Sequence, residues 1–386
     1  MKAKNKHPLI VLHVVGRLDM GGAESRIMDI YRRMDRSRVQ FYFAEHTVDR
    51  CFFEEEIEKL GGQILRVPRF NGKNILAYQR AWKQLFLAHP EIRIVHGHMT
   101  STAAIYLPIA KRLGVERTIA HARSAGVDPG IKGRLTRFLR KNLWEKCDDC
   151  FTCSRLAGES VFGKQAMEAG KVELIPNAIE TDRFAFDAPT RQRLREELNL
   201  SKDFVLGHVG RFSPVKNHGY LLEILKQCIK REREDGLPPF KLMLLGDGPL
   251  QENIRRLAEE KGLAERVLFL GNQKEVHRYY QAMDFFLLPS FYEGLPGTAI
   301  EAQASGLMGI LSDAVTGEAV VTDLLKQLSI QEPPETWAGE IIRMSAGERK
   351  AGLRTGYPQR VKEAGYDVAG QAARLQEFYL TGRLRS

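Results

Sequence analysis

Long apolar runs are missing from this chain of 386 residues. The longest near its start, Leu9–Val15, falls far short of the roughly 20 residues a membrane-spanning helix needs, and no cleavage-site pattern follows it. It reads as a buried parallel strand, and the chain as cytoplasmic. Cysteine is scarce: five residues, an odd number, and no disulfide framework is implied for a cytoplasmic chain of this size. Three of them, Cys147, Cys150 and Cys153, are close enough to ligate a metal, but no fourth ligand stands nearby. The segment Asp149–Ser154 also has the pattern of a short buried strand, so structural thiols are the expectation. No Asp-x-Asp occurs anywhere, which removes the usual carboxylates of a metal-bridged diphosphate and points to metal-independent chemistry. A G-x-G-x-x-G fingerprint is also absent. So are zinc-finger, helix-turn-helix and basic–aromatic patterns, so only the basic first half speaks for nucleic acid, and no nucleic-acid partner is expected. There is no repeat of solenoid period and no low-complexity tract.

Positive charge is present, and it is unevenly placed. The net charge is +10. Residues 1–185 hold 31 Lys and Arg against 21 Asp and Glu, whereas residues 186–386 hold 27 of each. The excess lies wholly in the first half. Lys132, Arg134, Arg137, Arg140, Lys141 and Lys146 crowd one segment, with Leu135, Phe138, Leu139 and Leu143 at helical spacing. This predicts a basic amphipathic helix over 132–146. Such a helix either lies on an anionic membrane surface or is an ordinary domain helix with a solvated basic face.

Length alone predicts two domains. Apolar β-rich runs alternate with helical patterns throughout. Strands are expected near 9–15, 39–44, 63–67, 92–96, 117–121, 149–153 and 172–175, then near 204–209, 240–245, 267–270, 284–288 and 307–312. Two such βαβα series imply two doubly wound parallel sheets, an α/β architecture of Rossmann-like domains facing across a cleft. The junction falls in the loop-like Pro176–Phe184. A last helical stripe, Val368, Ala372, Leu375 and Tyr379, needs a surface to pack on.

The sharpest chemical signal is Glu293-Gly-Leu-Pro-Gly-Thr-Ala-Ile-Glu301, two carboxylates eight residues apart across a strand–turn–helix junction. That junction aims backbone N–H groups at an anion and leaves both glutamates to accept from hydroxyls. Alone it would read as a surface loop; three phosphate-type features accompany it. Arg211 and Lys216 follow the strand 204–209 and suit a diphosphate. Gly246 and Asn272 sit in turns after two further strands, and Gly21 and Gly22 open a helix after the first one. His121 ends a strand where it could act on a hydroxyl, and His96 and His98 end the strand before it.

Together these residues resemble retaining glycosyltransferases of family 4, which have the two-domain GT-B fold. The resemblance runs in order along nearly the whole chain: Gly21–Glu24, His121, Pro176-Asn177, Gly210–Asn217, Gly246–Pro249 and Pro289–Ala302. It implies an N-terminal acceptor-binding domain (1–185), a nucleotide-sugar domain (186–365) and a C-terminal helix (366–386) returning to the first domain. It implies that His121 stands by the reacting sugar, that Arg211 and Lys216 hold the diphosphate, that Glu293 binds donor hydroxyls and that Glu301 binds the ribose. Gly21, Gly22, Gly246, Asn272 and the run Gly294, Leu295, Pro296, Gly297, Thr298 would complete the donor site. Arg123 stands where many relatives have a second histidine; with His98 it is expected on the acceptor side, consistent with a phosphorylated or lipid-pyrophosphate acceptor. The implied activity is hexose transfer from a UDP-sugar to a glycan or lipid-linked acceptor in exopolysaccharide synthesis, on or near an anionic membrane surface, with no cofactor. A UDP-sugar 2-epimerase or a non-catalytic sugar-nucleotide or glycan-binding module are the alternatives.

Overall fold

A computed structural model describes residues 7–124, 126, 130–346 and 354–384. The chain divides into two units, Met1–Ala178 with Val368–Ser386, and Ile179–Asp367. Seven strands make the sheet of the first unit: β1 (Leu9–Val14), β2 (Val39–Glu45), β3 (Gln63–Arg66), β4 (Ile92–Gly97), β5 (Arg117–Ala122), β6 (Asp149–Thr152) and β7 (Val172–Leu174). Their order is β3-β2-β1-β4-β5-β6-β7, parallel at every pairing. The second unit holds β8 (Phe204–Val209), β9 (Phe240–Leu245), β10 (Val267–Phe269), β11 (Phe285–Leu288), β12 (Gly309–Ser312) and β13 (Leu325–Leu328). Their order is β10-β9-β8-β11-β12-β13, again all parallel. Both units are Rossmann-like. In each, the strand order reverses once, between β1 and β4 and between β8 and β11, and there the loops part to leave a crevice at the strands' carboxyl ends.

Sequence pattern accounts for the strands. β1, β8, β9 and β11 are dominated by Val, Leu, Ile and Phe and are largely buried on both faces, as parallel strands under two helical layers must be. β13 is the strand the pattern missed. Its Leu-Lys-Gln-Leu sequence lies at a sheet edge with Lys326 exposed, so it carries no apolar run. The helix expected over 132–146 is shorter. It spans Ile131–Arg140, and Asn142 then turns left-handed at φ 53° ahead of a single 3₁₀ turn at Leu143–Glu145. Arg140 leaves the basic face and donates to Thr100 Oγ1 at 2.9 Å.

The C-terminal helix Val368–Thr381 belongs to the first unit. Val368, Ala372, Leu375, Phe378 and Tyr379 bury its inner stripe in a core with Val11, Ile27, Phe41, Phe151 and Ile175. Phe378 meets Phe151 edge-on at 5.1 Å, and Arg117 covers its ring at 5.2 Å. Phe378→Ala should therefore lower the unfolding free energy of this unit by about 3–5 kcal/mol. Urea denaturation measures it; an unchanged midpoint would mean that the helix does not contribute to this core.

Candidate functional site

In the second unit the loops after β8 and β11 flank the crevice. The β8 loop is drawn tight against its neighbours: Gly210 N–H donates to Leu245 O, Gly246 N–H to Gly271 O, both at 2.9 Å, and Phe212 N–H to Asp247 O at 3.0 Å. Gly246 has φ 130°, and a Cβ there would collide with the Gly210 carbonyl, so only glycine lets the two loops meet. Lys216 reaches from the β8 loop to the β11 loop, where its Nζ donates to Glu293 Oε1. Ser290 Oγ donates to the same oxygen at 3.0 Å. Glu301, 4% exposed, accepts from Tyr280 Oη at 2.9 Å. It lies on the helix Gly297–Ala304, which has Pro296 at its N-cap and no side-chain cap. Gly297 and Thr298 open that helix partly exposed, while Gly294, Leu295 and Pro296 are buried beneath the turn. Arg211 and Asn272 are exposed, and no described residue bonds to the Arg211 guanidinium. The arrangement offers two cations, two oriented carboxylates and an open helix N-terminus, which are groups suited to a diphosphate flanked by hydroxyls.

In the first unit β1, β4 and β5 carry a stack of four imidazoles: His13, His96, His98 and His121. His96 and His98 stack at 4.4 Å, and His96 and His121 at 5.1 Å. Two hydrogen-bond chains run through them. Tyr379 Oη contacts His96 Nδ1 at 2.7 Å, and His96 Nε2 contacts His121 Nδ1 at 2.9 Å. Arg123 Nε donates to His98 Nδ1 at 3.2 Å, and His98 Nε2 contacts His13 Nδ1 at 3.0 Å. The ends fix the direction of both chains. A guanidinium can only donate, so His98 carries its hydrogen on Nε2 and passes it to His13. Among the described residues Tyr379 has His96 as its polar partner, so its buried O–H is satisfied by donating there. His96 then donates from Nε2, and His121 is left with hydrogen on Nε2, toward the Ile175 backbone. Burial makes the neutral forms dominant: His13 falls to about 3, and His96, His98 and His121 lie well below 6.5.

Of the groups read from sequence, the structure brings Lys216 to Glu293 and Arg123 to His98. It places His121 at the end of β5 inside the unit, fully buried. Arg123, two residues on, is the half-exposed group of that strand end. Gly21 and Gly22 open the helix Gly22–Arg33 as expected. Pattern missed Tyr280 and Ser290, which orient the two glutamates, and Tyr379, which only the fold delivers to the histidines. His13 had a signal, as the polar residue within an otherwise apolar strand. His13, His96 and His98 could in principle converge on a metal, as could Glu45, Cys51 and Glu54. Neither set suits one. Each imidazole's Nδ1 lone pair already accepts or is shared within the chains, beside a guanidinium, and Arg66 already bridges Glu45 and Glu54.

Two family models match the chain: Glycosyltransferase Family 4 over residues 20–183, and Glycosyl transferases group 1 over residues 190–367. EpsF of Bacillus subtilis (strain 168), to which a glycosyltransferase activity is ascribed, is 34% identical over 375 residues, 96% of each chain. The UDP-Gal:alpha-D-GlcNAc-diphosphoundecaprenol alpha-1,3-galactosyltransferase of Escherichia coli is 30% identical over 227 residues, 57% of each chain. Among solved structures, Anabaena Alr3699/HepE in complex with UDP superposes with a TM-score of 0.77 at 17% identity, over 97% of this chain and 100% of that one. That likeness is one of fold.

The buried imidazoles set a pH dependence. His208 and His218 in the second unit are also depressed by burial, His218 to about 4. The unfolded chain takes up protons near 6.5 and the folded chain does not. The stabilisation is therefore complete above that pH and is lost as pH falls toward about 4, each imidazole contributing up to about 1.4 kcal/mol per pH unit. Urea unfolding between about pH 7 and pH 5 should show a steep loss; a flat midpoint across that range would mean that these rings are protonated in the fold.

Proposed function

The chain belongs to the glycosyltransferases of family 4, and from that premise we propose that it moves a hexose from a UDP-sugar to a glycan or lipid-pyrophosphate-linked acceptor, with retention and without metal. The setting we infer is assembly of an exopolysaccharide or another cell-surface polymer. The observation that carries the reading is the Lys216–Glu293 pair with Arg211 at the β8/β11 crevice. Two cations there can neutralise a diphosphate and stabilise the charge that builds on it as the sugar leaves. Glu293, oriented by Lys216 and Ser290, accepts from sugar hydroxyls, and Glu301, oriented by Tyr280, accepts from the ribose. Open N–H groups of Gly297 and Thr298 face the phosphates. The first unit takes the acceptor and the second the donor. The sugar–phosphate bond breaks as the acceptor oxygen bonds to the same face, and the acceptor's proton passes to the departing phosphate, so no protein nucleophile is needed. Without an Asp-x-Asp, the cationic side chains do what a metal would do at the phosphates. The UDP bound by the Anabaena protein and the diphosphate-linked acceptor named for the Escherichia coli relative support these choices.

Thermal unfolding with a panel of nucleotide sugars tests the donor site. One UDP-sugar near 100 Kd should stabilise the protein by about 2.7 kcal/mol, EDTA should leave the shift intact, and Glu301→Ala should abolish most of it. If no sugar nucleotide shifts the transition, the donor reading fails.

The membrane part of the proposal rests on Phe138, 72% exposed on a helix that also exposes Lys132, Arg134 and Arg137. Basic residues near an anionic surface contribute about 1 kcal/mol each. The protein should sediment with phosphatidylserine-containing vesicles and not with neutral ones, and Phe138→Asp should release it. Equal binding to both vesicle types would leave this helix as ordinary domain surface.

A further inference from the structure

Among the described residues, Arg123 has no counter-ion. Its Nε–H goes to His98 Nδ1 at 3.2 Å and one terminal nitrogen to Asn177 Oδ1 at 3.0 Å. Both acceptors are neutral, because the imidazole chain behind His98 is directed inward and uncharged. The other terminal nitrogen has no bond to any described residue. Burial lowers the guanidinium only to about 10, so it stays charged. Arg195, Arg117 and Arg266, by contrast, are neutralised by the carboxylates of Asp284, Asp149 and Glu232. Arg26, the cation within electrostatic reach, is itself paired with Asp29 at 3.1 Å. An uncompensated, partly buried charge is costly, and here the fold also commits two hydrogen bonds to fixing its plane.

The carboxylate that feels Arg123 is Glu24, and it does not form an ion pair with it. Glu24 bends back over the first turn of its own helix, and a Cβ on Gly21 would collide with its Oε2. Burial raises its pKa, offset in part by Arg123. A carboxylate thus lies over the glycine-opened N-terminus of the helix Gly22–Arg33, within the field of an unpaired guanidinium. That is the place an external anion would take.

We propose that Arg123, held in plane by His98 and Asn177, is an anion-binding residue whose free edge takes a phosphate oxygen beside the Gly21–Gly22 turn. This rests on the transferase reading for the source of the phosphate: the pyrophosphate of a lipid-linked acceptor or the diphosphate of the donor, which share the chemistry. It does not rest on that reading for its existence.

Two measurements on the full chain separate these matters. The first needs no turnover. Inorganic pyrophosphate should raise the melting temperature of wild type. Arg123→Gln should lose part of that rise, and the loss should add to that of Arg211→Ala if the two residues serve separate sites. In plain chloride buffer Arg123→Gln should be as stable as wild type or more so, because it removes an unpaired cation; His98→Asn, which loses only the orienting bond, should bind pyrophosphate less well than wild type. A variant that is destabilised in chloride yet keeps the whole pyrophosphate response makes Arg123 a structural residue and overturns the proposal, whatever the protein catalyses. The second measurement is steady-state transfer. Arg123→Gln should raise KM roughly ten- to a hundredfold for an acceptor bearing pyrophosphate and leave KM for the same glycan without it unchanged. A rise confined to the donor's KM assigns the phosphate to the donor instead. Equal KM values for every substrate overturn the site.

Discussion

Parallel strands can be joined only by crossovers, and a crossover places every outgoing loop at the same edge of the sheet. Each unit of this protein obeys that constraint without exception. Where strand order reverses, successive crossovers go to opposite faces, and the loops beside the reversal are the ones that part. At β8/β11 those loops carry Arg211, Lys216 and Glu293. At β1/β4 they carry the Gly21–Gly22 turn and His98, with Arg123 one strand away, just past the end of β5. The chemistry of both units hangs on an order of strands set by hydrophobic pattern far from any ligand.

The two crevices use charge in opposite ways. In the second unit lysine, serine and tyrosine are bonded to the glutamates before anything binds, so the carboxylates are oriented at little cost in entropy on binding. In the first unit the cation is oriented but not neutralised. Its neighbours are imidazoles that burial keeps uncharged, so their polarity supplies direction without supplying a counter-charge. A carboxylate in place of His98 would make a more stable protein and, on the proposed reading, a poorer phosphate site. The same burial that keeps the stack neutral makes the unit acid-sensitive, because unfolding lets every ring take up a proton.

Twelve strands, the two-series plan and the returning C-terminal helix were legible because each is written locally, in apolar runs or in a 3.6-residue stripe. β13 was not, because an edge strand needs only one buried face and its Leu-Lys-Gln-Leu offers no run. The helix at 132–146 was overextended because amphipathic spacing continues through Leu143, whereas Asn142 breaks the backbone without interrupting that spacing. In the site, Glu293, Glu301, Arg211 and Lys216 stood out because strand–turn–helix junctions have local signatures. Tyr379 lies 283 residues from the histidine it contacts, and nothing local marks it. The same distance explains His121. Its burial depends on packing against Phe151 and the hydrogen-bond chain from Tyr379 of the C-terminal helix, which sequence cannot place against it.

This contrast bears on which half of the reaction is generic and which is particular. A site made from short junction motifs can be kept intact while the rest of a chain drifts, since its geometry depends on few residues. A site made from side chains of three strands and a distant helix changes whenever any of them does. On the proposed reading the first kind holds the nucleotide diphosphate, a ligand common to many transfers, and the second kind meets the acceptor. Arg123 illustrates the second kind. Exchanging one side chain at the end of β5 alters the charge presented there, and the hydrogen-bond chain behind it accommodates the exchange because His98 Nδ1 accepts equally well from a guanidinium or from an imidazole N–H. Acceptor chemistry can thus be altered at that position without disturbing the crevice that holds the donor.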